Sequence, residues 1–356
     1  MTSIQRFLNL ELPVLQAPMA GAQGSALAVA VSNAGGLGAL PGAMLDAAAL
    51  RAELSAIQAG TQGPYNVNFF CHRPPAADAG REAVWRAVLA PFYRELGIDP
   101  GRIQPGPGRS PFTAEMADVL AEFEPPVVSF HFGLPAEELL RRVKAWGAKV
   151  LSSATTVEEA RWLERHGADA IIAQGAEAGG HRGMFLSADA STQVGTFALV
   201  PQVVAAVSVP VVAAGGIADA RGVAAALALG AAGVQIGTAF LLTAEAKTSP
   251  LHRAALKQAH DNSTTLTNVF TGRPARGIVN RYIREVGPMS PDAPQFPLAA
   301  GASQPMRAAG EAKGTADFTP LWSGQAPTFA REMPTADLIA SFVKETEAVA
   351  KRFAAG

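Results

Sequence analysis

An α/β fold, a closed (β/α)8 TIM barrel of parallel strands, is what this sequence predicts, and three observations predict it. Short apolar runs ending in a small or polar residue alternate with helical stretches, which is how consecutive βα units read. Eight such runs occur, the number that closes a barrel rather than extending an open doubly wound sheet. Most are continuously apolar rather than alternating, as strands covered on both faces are.

In order, the strands are Leu12 to Met19, Leu37 to Pro41, Asn66 to Phe70, Val127 to Phe132, Lys149 to Ser153, Ala170 to Gln174, Val209 to Ala214 and Gly233 to Thr238. Two segments interrupt the rhythm. The proline-rich stretch Cys71 to Pro111, with a helix near Arg81 to Leu96, is an insertion after strand three. Its place at the C-terminal end of a barrel strand makes it a candidate wall or lid, or else a surface excursion. The second, Gly287 to Pro334, leads into a helix over Thr335 to Phe353. Leu338, Ile339, Phe342, Val343, Val349 and Phe353 share one side of that helix and Lys344, Glu345, Glu347 and Lys351 the other, so it should pack on the barrel's outside. The organisation expected is therefore a barrel over 1–70 and 112–285 and an insertion at the catalytic face over 71–111. A C-terminal helical and loop extension over 286–356 would pack on the barrel and close the pocket.

Of 356 residues, 49% are hydrophobic and 17% charged, with 29 basic against 30 acidic side chains and a net charge of −1. That excludes a disordered chain and leaves no electrostatic footprint for nucleic acid or an anionic membrane. The length fits one barrel plus roughly 100 residues of insertion. A single cysteine, Cys71, precludes an intrachain disulfide and a multi-cysteine metal cluster, and a reducing cytoplasm is the default. The N-terminus has Arg6 but no apolar stretch behind it, so no secretory signal is read. Gly222 to Leu242 is 21 residues without a charge, long enough for a membrane span. Gly230, Gly233 and Gly237, with Gln235, instead divide it into a helix, a turn and a short strand.

In a barrel of this kind the strand ends carry the active site, and the loops after strands seven and eight commonly hold a phosphate. Strand seven ends in Ala214-Gly215-Gly216-Ile217, where bare backbone lets N–H groups approach an anion and Asp219 is placed to cap the next helix. Strand eight ends in Gln235-Ile236-Gly237-Thr238. The alternative is that these glycines only turn the chain. After strand six comes Gln174-Gly175-Ala176-Glu177-Ala178-Gly179-Gly180-His181-Arg182-Gly183, four glycines in nine residues from Gly175 to Gly183. So many glycines need a reason, and a large planar ligand against the backbone would supply one. His181 on that loop is a candidate base near neutral pH, or a structural histidine. His131, in His131-Phe132-Gly133 after strand four, brings a second imidazole to the rim, equally open to both readings. Pro18 stiffens the end of strand one, while Gln16 and Asn68 offer amides to a heterocycle's edge. No dinucleotide fingerprint, P-loop, zinc-protease motif or nucleophile elbow occurs, and no metal is called for.

Together Gln16-Ala17-Pro18-Met19, Val67-Asn68-Phe69, His131-Phe132-Gly133, the Gln174 to Gly183 run, Ala214-Gly215-Gly216, Gln235-Ile236-Gly237-Thr238 and Leu321-Trp322-Ser323-Gly324-Gln325 strongly resemble the nitronate monooxygenase family, its class I branch in particular. The resemblance runs in order over most of the chain. It implies an FMN-containing barrel that oxidises alkyl nitronates with O2 to a carbonyl compound and nitrite through a flavin semiquinone, without metal or nicotinamide. Carried over position by position, it places the flavin at Pro18, Met19, Asn68, Gln174, Gly179, Gly215, Gly216, Gln235, Ile236, Gly237 and Thr238, with Ser323 and Gln325 beside it. His181 matches the catalytic histidine, and His131, Phe296 and Trp322 would line the substrate pocket. A homodimer is compatible with the resemblance but not demanded by it.

The chain departs from the pattern at Gln295 to Ala302, where Phe296 stands in place of an expected tyrosine; Tyr65, Tyr93 and Tyr282 lie elsewhere. With no hydroxyl or ammonium donor in that stretch, small and medium alkyl nitronates should be preferred to carboxylate-bearing ones, unless Arg109, Arg182 or Arg307 enters the pocket. Three other functions compete: an FMN barrel reducing a quinone or enoyl thioester with NAD(P)H, a metal-independent sugar-phosphate isomerase or lyase, and a non-catalytic flavin carrier. NADH oxidation separates the first, a colourless protein the second, and flavin-dependent turnover removes the third.

Overall fold

The computed structural model describes residues 1–76, 78–103 and 109–355. Eleven strands occur among them: β1 (Val14–Gln16), β2 (Gly38–Pro41), β3 (Tyr65–Phe70), β4 (Val127–His131), β5 (Lys149–Ala154), β6 (Ala170–Gln174), β7 (Gly180–His181), β8 (Val211–Ala214), β9 (Gly233–Ile236), β10 (Thr264–Thr267) and β11 (Ala275–Ile278). Eight of them form one parallel sheet in the order β1-β9-β8-β6-β5-β4-β3-β2, the eight predicted from the apolar runs. A parallel bridge between Leu15 and Leu37 joins the two ends, which makes the sheet a barrel with helices around it. The stretch Gly222 to Leu242 divides as expected, into the helix Ala220–Ala228, β9 and a 3-10 turn at Thr238–Leu242. No helix of the described residues is long and apolar enough to cross a membrane.

Alternation within each strand builds two layers of core. Leu15, Leu37, Leu151, Ile172 and Val212 point inward and pack with Ile4 and Leu8 of an N-terminal helix, Ser3–Leu8. That helix plugs the N-terminal end of the barrel, and nothing in its short apolar pattern announced it. Val150, Ile171, Ala213 and Val234 face outward into the clusters shared with the surrounding helices.

The seam between β1 and β2 is the weakest ladder, and buried amides reinforce it. Gln16 Oε1 accepts from the N–H of Ala39 (2.9 Å), Gln16 Nε2 donates to Gln23 Oε1 (2.5 Å), and Gln23 Nε2 donates to the Ala39 carbonyl (2.5 Å). Gln16, 1% exposed, therefore completes the barrel rather than reading a ligand. Gln16→Ala leaves the Ala39 N–H and the Gln23 carbonyl unpaired inside the protein. It is expected to cost ~1–3 kcal/mol, read as a lower urea midpoint at unchanged m-value.

Beyond the barrel, the chain differs from expectation in three ways. The sequence assigns the segment after β9 to the barrel as far as residue 285, but β10 and β11 leave the ring and form an antiparallel sheet with β7, in the order β10-β11-β7. The insertion helix spans Ala79–Leu96 and starts at Asp78, whose carboxylate accepts from the N–H of Arg81 (2.9 Å). It packs Trp85, Leu89, Phe92 and Tyr93 against Ala299, Ala302 and Met306 of a helix over Ala299–Ala312, and Tyr93 Oη donates to the Ala302 carbonyl (2.7 Å). That partner helix contains Gly301, Pro305 and Gly310, which hid it from the sequence pattern. The C-terminal extension thus divides. Its middle seats on the insertion, while its last helix, Thr335–Ala355, buries Leu338, Ile339 and Phe342 in the outer core beside Ala226.

Candidate active site

At the C-terminal ends of the barrel strands lies a cavity of about 280 Å³. Pro18 and Met19 line it after β1, Asn68 in β3, His131 in β4, Gln174 in β6, Gly179 and His181 in the loop beyond, Gly215 and Gly216 after β8, Gln235 in β9, and Gly237 and Thr238 after it. Trp322 closes it from the C-terminal extension. Four expected residues are not on this wall. Ile236 faces the core between barrel and helices. Ser323 is buried, its hydroxyl donating to the Gly324 carbonyl (3.0 Å). Gln325 is exposed and meets the site only through its N–H, which donates to the Glu177 carbonyl (3.0 Å). Phe296 lies behind His181, ring centroids 5.2 Å apart.

His181 is held by three elements. Its strand β7 pairs with β11, placing it opposite Ala275. Its carbonyl accepts from His131 Nε2 (3.1 Å) and Gln174 Nε2 (3.1 Å). Its own Nε2 lies 2.9 Å from Thr271 Oγ1. Thr271, 2% exposed, comes from the β10–β11 connection, and no local motif marked it. Burial pushes the His181 pKa well below the usual value, assisted by the positive charges of Arg109 and Arg273. The imidazole is therefore neutral at pH 7, in the state a general base requires.

His131 has a different task. With Nε2 on a carbonyl, which only accepts, that nitrogen carries the proton, and Nδ1 accepts from Ser153 Oγ (2.5 Å). Burial lowers its pKa to about 3. Both nitrogens are occupied, so His131 positions the His181 strand. Gln174 is similarly committed, since its Oε1 accepts from the N–H of Gly183 (2.7 Å). Phe132, next along, adopts a left-handed backbone (φ 71°), which turns its ring onto His131 (4.4 Å) and toward Phe296 (5.5 Å). Strain at a non-glycine residue of this kind gathers at functional sites.

The glycines after β6 have several causes. A Cβ on Gly175 would sit 1.9 Å from Thr196 Oγ1, and one on Gly179 would meet the backbone of Ser323 and Gly324 at 2.5–2.6 Å. Both are needed for chain packing. Gly180 has φ +72° with open space where a Cβ would be. Within the same loop the Glu177 carboxylate accepts from the Thr196 N–H (2.8 Å) and hydroxyl (2.7 Å).

A stretch of bare backbone lies across the cavity. Gly215 and Gly216 are left-handed (φ 119° and 69°), and Asp219 caps the following helix by accepting from the N–H groups of Arg221 (2.9 Å) and Gly222 (3.2 Å), as the sequence predicts. The N–H groups of Gly216 and Gly237 have no partner among the described residues. Thr238 Oγ1 accepts from the Gly324 N–H (2.9 Å), leaving its proton available. Asn68 Nδ2 donates to Ser129 Oγ (2.9 Å), so its Oδ1 remains an acceptor. Bare N–H groups at one end and amide edges at the other fit a phosphate-bearing heterocycle.

The arginines change the expected view of specificity. Arg182 is fully buried and donates to the carbonyls of Gly175 (2.7 Å) and Gln174 (2.8 Å) and to Gln193 Oε1 (2.9 Å), so it knits the loop. Arg109 and Arg307, by contrast, both line the cavity. Arg307 pairs with Glu311 (2.8 Å), whereas Arg109 has no carboxylate partner among the described residues. The absence of donors around Phe296 therefore gives no ground for discriminating against a carboxylate: a cation reaches the site from the insertion.

The nitronate monooxygenase family model matches residues 2–345. The chain belongs to the nitronate monooxygenase family. Its members are oxidoreductases that act on nitronates, and this chain is one of those enzymes. It is 43% identical over 346 residues to nitronate monooxygenase of Pseudomonas aeruginosa, covering 96% of this chain and 97% of that one. The crystal structure of nitroalkane oxidase from Streptomyces ansochromogenes superposes with a TM-score of 0.90 at 39% identity, covering 99% and 100% of the two chains. FabK from Thermotoga maritima has the same fold at a TM-score of 0.75 and 29% identity, covering 100% of this chain and 99% of that one.

Proposed function

We propose that this enzyme binds FMN and oxidises alkyl nitronates with O2 to a carbonyl compound and nitrite. The observation that carries the reading is a neutral, triply anchored His181 facing the same cavity as the unpartnered N–H groups of Gly216 and Gly237. Those two groups and the Thr238 hydroxyl would hold the phosphate. Pro18, Met19, Asn68 and Gln235 would border the flavin ring, and the Gln235 side-chain amide has no hydrogen-bond partner among the described residues. When bound, FMN supplies the electron transfer between nitronate and oxygen.

The remaining work belongs to the chain's own residues. His181 orients a nitronate anion or takes the Cα proton of a neutral nitroalkane. Thr271 keeps the imidazole in one orientation through Nε2. The aromatic wall of Phe70, Phe132 and Phe296 excludes water around the imidazole. Such an enzyme would act on small molecules in the cytoplasm.

Absorbance tests the reading directly. Purified protein should be yellow, release its chromophore on denaturation, and show one-electron reduction in its visible spectrum when a nitronate is added without oxygen. A colourless protein that takes up no added FMN contradicts it, and rapid steady-state NADH oxidation would favour the quinone or enoyl-thioester reductase instead.

A further inference from the structure

We propose that a second cavity, of about 250 Å³, receives the apolar tail of a long-chain nitronate whose reacting carbon lies at His181. The proposal rests on the nitronate reading above and names the substrate class of that site. The cavity is built by the two segments that interrupt the barrel rhythm. Trp85 comes from the insertion helix, and Leu298, Ala300, Ala302 and Phe318 from the C-terminal extension; Phe270 adds a further ring.

Two observations tie this space to the catalytic centre. Met44, Arg109, Arg307 and Pro320 line both cavities, so the two share an opening. Thr271 lines the second cavity while its hydroxyl meets His181 Nε2 at 2.9 Å, so only one side chain separates the space from the imidazole. The cavity exists because Ala300, Gly301, Ala302 and Ser303 are four consecutive small residues on the helix facing the insertion. Unfilled apolar space costs stability, and an alkyl chain removes that cost.

The chemistry of the walls selects the tail. Arg307 is already paired with Glu311, and Arg86 donates to the Pro100 carbonyl (3.2 Å). Arg109 carries the one guanidinium at the shared opening without a carboxylate partner among the described residues, and a chain passing it meets the methylenes of its stem. Glu82 lines the same cavity as Trp85, Phe270 and Phe318, so a carboxylate at the far end of the chain would meet like charge as well as a desolvation cost.

The test uses the holoenzyme and the ratio of kcat/KM for octyl-1-nitronate to that for propyl-1-nitronate. In the wild type the ratio should approach roughly 10³, as full burial of five further methylenes implies. In Ala300→Phe it should fall to near one. Leu298→Trp carries the same test if Ala300→Phe does not fold by circular dichroism. Independently of turnover, 1-nitrooctane added without oxygen should bind the wild type at least roughly tenfold more tightly than 1-nitropropane by titration calorimetry, and no more tightly than it in Ala300→Phe.

A ratio near one in the wild type, or a high ratio that survives in a folded cavity-filling variant, overturns the proposal. So does a preference for an ω-carboxylate chain over the plain chain of equal length. If propyl-1-nitronate itself is not oxidised, the nitronate reading fails, and the calorimetric comparison of the two nitroalkanes alone decides whether the cavity takes an alkyl chain.

Discussion

His181→Asn is expected to lower kcat/KM on neutral nitroethane by roughly 10²- to 10⁴-fold, the range a positioned general base supplies. On preformed ethylnitronate the loss should be far smaller. Only the neutral substrate needs a proton removed, and asparagine retains a polar side chain able to meet Thr271 and orient an anion. Equal losses on both substrates would assign His181 to binding alone. The low pKa adds a sign. A base whose pKa lies below 6.5 stays unprotonated as pH falls from 7, so the nitroethane rate should hold below pH 6.5 before it drops. His131→Asn provides the contrast. It removes a donor from the His181 carbonyl and leaves the base itself in place, so the loss on nitroethane should be milder than that of His181→Asn.

Acid should destabilise this protein steeply. Burial lowers the pKa of His131 to about 3, and of His72 and His252 to about 4; His181 moves in the same direction. Unfolded, each returns to about 6.5. The stability these neutral imidazoles contribute is complete above the unfolded pKa and is lost as pH falls toward the folded values, since there the unfolded chain binds more protons. The window runs from about pH 6.5 to about pH 4. Within it each histidine adds up to about 1.4 kcal/mol per pH unit. Urea unfolding at pH 7, 6 and 5 should show an accelerating fall in stability, and His252→Gln, which removes one such group, should flatten it. A stability independent of pH between 7 and 5 would refute the buried, neutral state of these rings.

The barrel was legible because its signal is local. A strand covered on both faces needs a continuous apolar run, and the helix after it needs a cap and one apolar stripe, so all eight strands could be read within a few residues of their ends. The N–H cradle was legible for the same reason: Gly215, Gly216 and Gly237 stand directly after strands. Gln16 was misread, since an amide at a strand end looks the same whether it meets a ligand or, as here, Ala39 and Gln23. The helix Ala299–Ala312 was missed because Gly301, Pro305 and Gly310 lower its helix propensity, and packing on Trp85 and Tyr93 outweighs that deficit.

By itself, then, the sequence determined the barrel, the face that carries the chemistry, and the two histidines that reach it. Only the tertiary structure decided what each histidine does. His131 and His181 stand in similar glycine-bearing motifs, yet one has both nitrogens held by Ser153 and the His181 carbonyl, while the other is held through Nε2 by Thr271, 90 residues away. It also decided that Arg109 enters the cavity and Arg182 does not. Periodicity and propensity act over a few residues along the chain, whereas the partner of a buried polar group is set by which distant segments the fold brings within hydrogen-bonding distance.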